Sequence, residues 1–214
     1  MQRVCIVAGG PENLLPDLRE YDEKGTQWAG VDKGTVYLVN SGIMPQEAFG
    51  DFDSITLVEK DIIERKASHI HIYQSEKDQT DLEIAVDWAL SQSPKELLLF
   101  GITGGRMDHA LVNIQLLCKS INTKTQMVLI DKQNRIQMFS PGSYTVEKDP
   151  AKKYISFLPF SEKVRGLTLE GFKYSLDNMH IEPGSTLCIS NELNFSIGTF
   201  SFTNGILIMV RSSD

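Results

Sequence analysis

Short apolar runs recur through the first part of the chain, at residues 4–8, 27–31, 47–49, 70–73, 97–100 and 127–130. Each has the length of a buried strand. Between several of them the apolar positions switch to helical spacing. Leu82, Ala85, Val86 and Ala89 form one stripe, and Leu111, Ile114, Leu117, Cys118 and Ile121 form another. Strands alternating with helices predict an α/β fold, a mainly parallel sheet flanked by helices. After about residue 132 the helical periodicity disappears. Short alternating runs follow at 154–158, 167–169, 186–189, 199–203 and 206–210, and predict a small antiparallel β-sandwich or barrel-like domain. Asn204-Gly205, between the last two runs, predicts a two-residue hairpin, because both turn positions accept positive φ. Pro141-Gly142 and Pro183-Gly184 mark further turns. The boundary is expected within 125–145, giving domains of 1–132 and 133–214.

Chemistry concentrates at the ends of the first set of runs. Two acidic clusters, Gly50-Asp51-Phe52-Asp53-Ser54 and Asp78-Gln79-Thr80-Asp81, fall where a strand gives way to a loop or helix. Carboxylates so placed can hold a hard cation; Mg²⁺ takes one or two and completes its shell with water and substrate phosphates. In an open α/β sheet, ligands bind beyond the carboxyl ends of the strands. Asp51 and Asp53 lie there if 47–49 is a strand, with Gly50 allowing the sharp turn. The plainer alternative has Asp53-Ser54 capping a helix that starts near Thr56. In the second cluster, Thr80 and Glu83 have the spacing of a capping box. Asp81 then sits in the first helical turn, at the positive end of the dipole. Capping accounts for Asp81 but does not require Lys77, Asp78 and Asp81 together. Lys77 either reaches a phosphate oxygen or is a solvated lysine.

A third segment, Gly101-Ile102-Thr103-Gly104-Gly105-Arg106-Met107-Asp108-His109, leads from a strand into a helix. Such a glycine-rich turn presents backbone N–H groups to a phosphate, and Arg106 can clamp phosphate oxygens bidentately. Alternatively the glycines only tighten the turn, Arg106 is surface and Asp108 caps the helix. The segment matches neither a Walker A loop nor GxGxxG. Gly9-Gly10 is a weaker candidate of the same kind. His69-Ile70-His71 puts two imidazoles on one strand face with no third ligand nearby in sequence. His109 reads as structural. Ser190-Asn191-Glu192 ends an apolar run, as a turn or a ligand contact. Together these features point to a metal-assisted reaction on a phosphorylated substrate, ATP foremost.

Composition narrows this picture. The 214 residues carry a net charge of -7, which argues against sequence-independent nucleic-acid binding and suits a cationic substrate or an anion carried with Mg²⁺. The three cysteines, Cys5, Cys118 and Cys188, are far apart and include no CxxC, so a disulfide framework or zinc knuckle is not supported and a reducing cytosol is expected. The apolar run at the N-terminus is too short for a signal peptide. No stretch approaches the roughly 18 apolar residues of a membrane span.

The order of the motifs resembles the thiamine pyrophosphokinase family, whose members make thiamine diphosphate from thiamine and ATP. The matching pieces are Val31-Asp32-Lys33-Gly34, Gly50-Asp51-Phe52-Asp53-Ser54-Ile55, Asp78-Gln79-Thr80-Asp81, Gly104-Gly105-Arg106-Met107-Asp108-His109, Gly171-Phe172-Lys173-Tyr174 and Ser190-Asn191-Glu192. Lys33 stands where the family commonly has glycine, and Phe172 where leucine is usual. The resemblance implies an α/β nucleotide-binding catalytic domain, a β domain contributing the thiamine site, and a homodimer with the active site at the subunit interface. It implies that Asp51, Asp53 and Asp81 hold Mg²⁺ and the ATP phosphates, with Asp32, Asp78 and Asp108 around the same site. Lys77, Thr103, Gly104 and Arg106 fall on the nucleotide side. Tyr174 would stack on thiamine, and Ser190 and Asn191 would line its pocket. Asp81 or Asp78 would accept the hydroxyl proton. Two rivals are a metal-dependent phosphohydrolase using Asp51 and Asp53, and a non-catalytic thiamine- or nucleotide-binding protein.

Overall fold

A computed structural model describes residues 2–53, 55–74 and 76–214; Ser54 of the first acidic cluster lies outside them. The chain forms two compact units, Met1–Lys132 and Gln133–Asp214.

The first unit is a parallel sheet of β1 (Arg3–Val7), β2 (Thr26–Val31), β3 (Glu47–Gly50), β4 (His69–Ile72), β5 (Glu96–Phe100) and β6 (Gln126–Ile130). Their spatial order is β4-β3-β2-β1-β5-β6. The central strands read as continuous apolar runs because helices cover both faces. Cys5, Val7, Trp28, Leu98, Phe100, Val128 and Ile130 share one core with Tyr37 and Leu38 of α1 (Lys33–Asn40). The other face carries α3 (Asp81–Ser91), whose Trp88 packs on Phe49 at 5.5 Å. Helix α2 (Leu57–Lys66) is opened by a complete capping box from Thr56 and Glu59, so Thr56 is the cap rather than Asp53-Ser54. At Thr80 only half of the expected box forms. Thr80 accepts the Glu83 amide at 3.2 Å, but the Glu83 carboxylate turns to Lys119 at 2.9 Å. Helix α4 (Met107–Leu116) ends earlier than its apolar stripe and tightens into a 3₁₀ turn at Leu117–Ser120.

The second unit is an antiparallel sandwich. One sheet orders β7 (Asn134–Phe139), β13 (Leu207–Ser212) and β9 (Tyr154–Pro159) side by side. The other orders β11 (Leu176–Ile181), β10 (Val164–Glu170), β12 (Ile197–Phe202) and β8 (Gly142–Glu147). Phe157 and Met209 from the first sheet meet Leu169 and Phe200 from the second in a shared core, with the Phe157 and Phe200 rings 4.9 Å apart.

Two expectations change here. Asn204-Gly205 is not a hairpin turn: β12 pairs with β8 and β10, while β13 pairs with β7 and β9. The dipeptide carries the chain from one sheet to the other, with Asn204 bridged to Arg165 and Gly205 at φ 97. Residues 186–189 form a turn, closed by the Ile189 amide on Thr186 O at 3.3 Å. Their alternation is real, since Cys188 is buried between exposed Leu187 and Ile189, but they join no ladder.

Candidate active site

The carboxyl ends of the parallel strands open onto one cavity of about 890 Å³. Strand β1 lies between β2, which follows it, and β5, which the chain reaches only after building β3 and β4 on the far side. The loops after β1 and β5 therefore diverge, and the crevice between them is where such sheets bind ligands. The two loops are stitched by the Gly10 amide on Gly101 O at 2.8 Å. Ala8 to Glu12, Asp32, Lys33, Asp51, Lys77 to Leu82 and Gly101 to Arg106 form the walls, with His109 and Asn113 of α4.

Asp32 is the strained centre of the acidic side. It precedes α1 at φ 47 and ψ -122 without capping that helix. Neighbouring Phe52 also has positive φ, at 58. Non-glycine residues hold such backbone only where surroundings impose it, and these cluster at functional sites. The Asp32 Oδ1 atom is buried with no hydrogen-bond partner among the described residues. Burial, then the Asp81 charge, push its pKa up to about 6, opposed by the Phe52 amide, with Asp51 adding to the rise. Gly50 makes this placement possible, because a Cβ there would run into Asp32 Oδ1.

The raised pKa gives a stability signature in metal-free protein. The folded state keeps the Asp32 proton that an unfolded chain loses near pH 4, so stability falls as pH rises from about 4 to 6. Asp32→Asn removes that dependence, and asparagine tolerates positive φ. The variant is expected to melt about 2–4 °C above wild type at pH 7.5, the gap closing at pH 4, by calorimetry in EDTA. An equal gap at both pH values would refute the assignment.

Asp81, in the first turn of α3, sits with Lys77. The ammonium is 3.1 Å from both carboxylate oxygens, but only the Oδ2 contact has hydrogen-bond geometry, so buried Oδ1 lacks a hydrogen bond among the described residues. Lys77 also donates to Gln74 O at 3.1 Å. Asp51 Oδ1 accepts the Asp53 amide at 3.0 Å. Asp78 is exposed on the cavity wall.

Two of the expected acidic residues are not on that wall. Asp53 is exposed and outside the cavity lining. Asp108 is also exposed and pairs with Arg106, whose Nε is 3.1 Å away; this holds its carboxyl down to about 2. Arg106, Thr103 and Gly104 do line the cavity. Asp108 does not cap α4 but accepts the His109 amide from within the first turn. His69 and His71 both meet Glu47 of β3, at 3.3 and 2.7 Å. Among the described residues no three His, Cys, Asp or Glu side chains form a ligating set.

Asp131 and Asn113 were missed by the sequence reading. Asp131, buried at the end of β6, accepts the Thr103 hydroxyl at 2.7 Å. Asn113 donates to Ile102 O at 3.0 Å. Both brace the glycine-rich loop. The carboxyl-end rule applied to the 127–130 run would have flagged Asp131; Asn113, inside a helical stripe, gave no signal.

In the second unit, Tyr174 is exposed and Asn191 is buried beneath it. The Asn191 carboxamide accepts the Tyr174 amide at 3.0 Å and donates to Tyr174 O at 2.8 Å, fixing that backbone from both sides. Ser190 is exposed, has φ 55, and its amide donates to Ser156 Oγ at 2.9 Å.

A parallel sheet with an acidic, glycine-rich cavity at its switch point, joined to a β-sandwich, is the architecture of an α/β enzyme handling a phosphate-bearing small molecule. Residues 18–129 match the family model for the thiamin pyrophosphokinase catalytic domain, and residues 143–207 match that for the thiamin pyrophosphokinase vitamin B1 binding domain. The chain is 62% identical over 214 residues to thiamine pyrophosphokinase of Bacillus subtilis, covering 100% of both. The crystal structure of the thiamine pyrophosphokinase from Bacillus subtilis superposes with a TM-score of 0.95 over 100% of both chains. That of the thiamin pyrophosphokinase from Geobacillus thermodenitrificans, 48% identical, gives 0.92 over 100% of this chain and 98% of its own. The chain belongs to the thiamin pyrophosphokinase family.

Proposed function

We propose that this chain makes thiamine diphosphate, moving a diphosphate group from Mg-ATP to the thiamine hydroxyl with release of AMP. Family membership supports the transfer and its acceptor. The observation that carries the nucleotide side is the set of Asp32, Asp51 and Asp81 at the switch point, where burial first and then the neighbouring carboxylates raise Asp32. Among the described residues, two buried carboxylate oxygens there lack hydrogen bonds, which fits a divalent cation. Of Asp51, Asp53 and Asp81, the residues the sequence assigns to Mg²⁺, Asp51 and Asp81 line the cavity and would hold the ion there, with Asp53 adjoining through its amide on Asp51. When bound, Mg²⁺ neutralises phosphate oxygens and orients them.

The protein's own groups supply the rest. Lys77, Arg106 and the amides of the loop braced by Asp131 and Asn113 face the phosphates. The thiamine oxygen forms a bond to the β-phosphorus, the α–β bridging bond breaks, and AMP departs. The hydroxyl proton passes to Asp78 or Asp81. Such transfer rests on positioning and charge rather than on a covalent nucleophile. Tyr174 presents its ring to the thiamine cation, with Ser190 beside it. The pairing of a nucleotide unit with a thiamine unit, contributed across a homodimer, completes the reading, and free cysteines suit a cytosolic setting.

The test is AMP formation from Mg-ATP with and without thiamine, the products separated by chromatography. Thiamine-dependent AMP matched by thiamine diphosphate is expected. Phosphate release independent of thiamine would replace the reading with a phosphohydrolase. Thiamine binding without AMP would replace it with a binding protein.

Asn191→Ala should raise the thiamine KM about tenfold, leave kcat within about twofold, and cost ~1–3 kcal/mol of stability through the unsatisfied Tyr174 backbone. Steady-state kinetics and urea melts read both, and an unchanged KM would dissociate Asn191 from the thiamine site.

A further inference from the structure

The β unit contains a second cavity, of about 230 Å³. Pro150, Ile155 and Leu193 give it apolar walls, and Lys148, Lys153 and Arg211 bring positive charge. Arg211 is the unusual member. It sits on β13, in register with Arg135 of β7 on one side and Ile155 of β9 on the other. Like charges directly opposite on neighbouring strands repel. The Arg211 Nε is fully buried and has no hydrogen-bond partner among the described residues. Burial comes first and, with the Arg135 charge, pulls its pKa below the usual guanidinium range, against the opposing charges of Asp149 and Glu147.

The acidic residues on the same wall have hydrogen-bond or ion partners of their own, although the Asp149 charge also acts on Arg211. Glu192 pairs with Lys153 at 3.1 Å and Lys173 at 3.3 Å. Asp149 accepts the Ala151 amide at 2.9 Å. A half-buried guanidinium with one buried donor left unsatisfied is costly. Its planar fork of donors matches a carboxylate or phosphate, and the adjoining wall is apolar.

We propose that this cavity binds a small organic anion, its carboxylate or phosphate head on Arg211 and its apolar body against Pro150, Ile155 and Leu193. The site is separate from the strand-end cavity and does not depend on the nucleotide reading. Lys148 and Lys153, exposed at the rim, draw the anion in.

Calorimetric titration of the full chain with hexanoate and with butyl phosphate tests this in wild type, Arg211→Met and Arg106→Ala. At least one probe should bind wild type, bind at least tenfold more weakly to Arg211→Met, and bind Arg106→Ala unchanged. Which probe binds tells the carboxylate head from the phosphate head. Methionine keeps much of the volume and removes the guanidinium donors. Should it fail to fold, Arg211→Gln carries the same comparison. Binding that survives loss of Arg211, binding lost only in Arg106→Ala, or no binding at millimolar concentration would each overturn the proposal.

Discussion

Asp81→Asn is expected to lower thiamine-dependent AMP formation by about 10²–10³-fold, the cost of removing one preorganised charge-handling group, while the fold survives. The change keeps the shape of the side chain and leaves the Thr80 cap of α3 in place. Two opposing effects act on stability. Lys77 loses its ion pair with Asp81, which costs on the order of 1 kcal/mol for a partly buried pair. Asp32 loses a repelling neighbour, which returns part of that. The net shift in melting temperature should therefore stay within about 4 °C. Because the Asp81 charge helps raise Asp32, the variant should also show a lower Asp32 pKa by NMR titration. Turnover within tenfold of wild type would remove Asp81 from the chemistry.

Gly50→Ala reaches the same site from the backbone. Gly50 has φ 151, where a side chain is strained, and its new Cβ would overlap the Asp32 carboxylate. Asp32 has little room to yield. Its amide donates to Phe49 O at 2.9 Å, and its carbonyl accepts the Thr35 amide at 3.0 Å. The expected cost is ~1–3 kcal/mol of stability and about 10²-fold in kcat/KM, because a displacement of about 1 Å suffices for such a loss. A double variant, Gly50→Ala with Asp32→Gly, separates the two effects. Removing the carboxylate should restore part of the melting temperature, the backbone strain at residue 50 remaining, but not activity. If the double variant recovers neither, the collision is not with Asp32. If Gly50→Ala alone is fully active, the acidic cluster does not depend on this glycine.

Much of the first unit was legible because buried parallel strands and helix stripes write themselves as apolar runs. All six of its strands fall within a residue or so of those runs. The edge strands of the sandwich were not legible. In β8 and β11 most side chains face solvent, so Gly-Ser-Tyr-Thr-Val-Glu and Leu-Asp-Asn-Met-His-Ile show no clear alternation. Asn204-Gly205 misled for a related reason: a turn dipeptide reports local backbone freedom, whereas which strands pair is decided by core packing. At the site, the acidic clusters were visible as residues at strand ends. Their internal arrangement was not. The collision that makes Gly50 obligatory, the exposure of Asp53 and the bracing of Thr103 by Asp131 all join residues that the sequence keeps apart or gives no reason to rank.

The crossover at Asn204-Gly205 also sets an order of assembly during synthesis. Strand β13 lies between β7 and β9, both translated earlier. Neither neighbour can complete its ladder until residues 207–212 have left the ribosome. The first unit has every strand of its parallel sheet by residue 130 and can fold while the rest is being made. For that interval the edges of β7 and β9 stand open, and the nascent sandwich depends on how quickly β13 arrives.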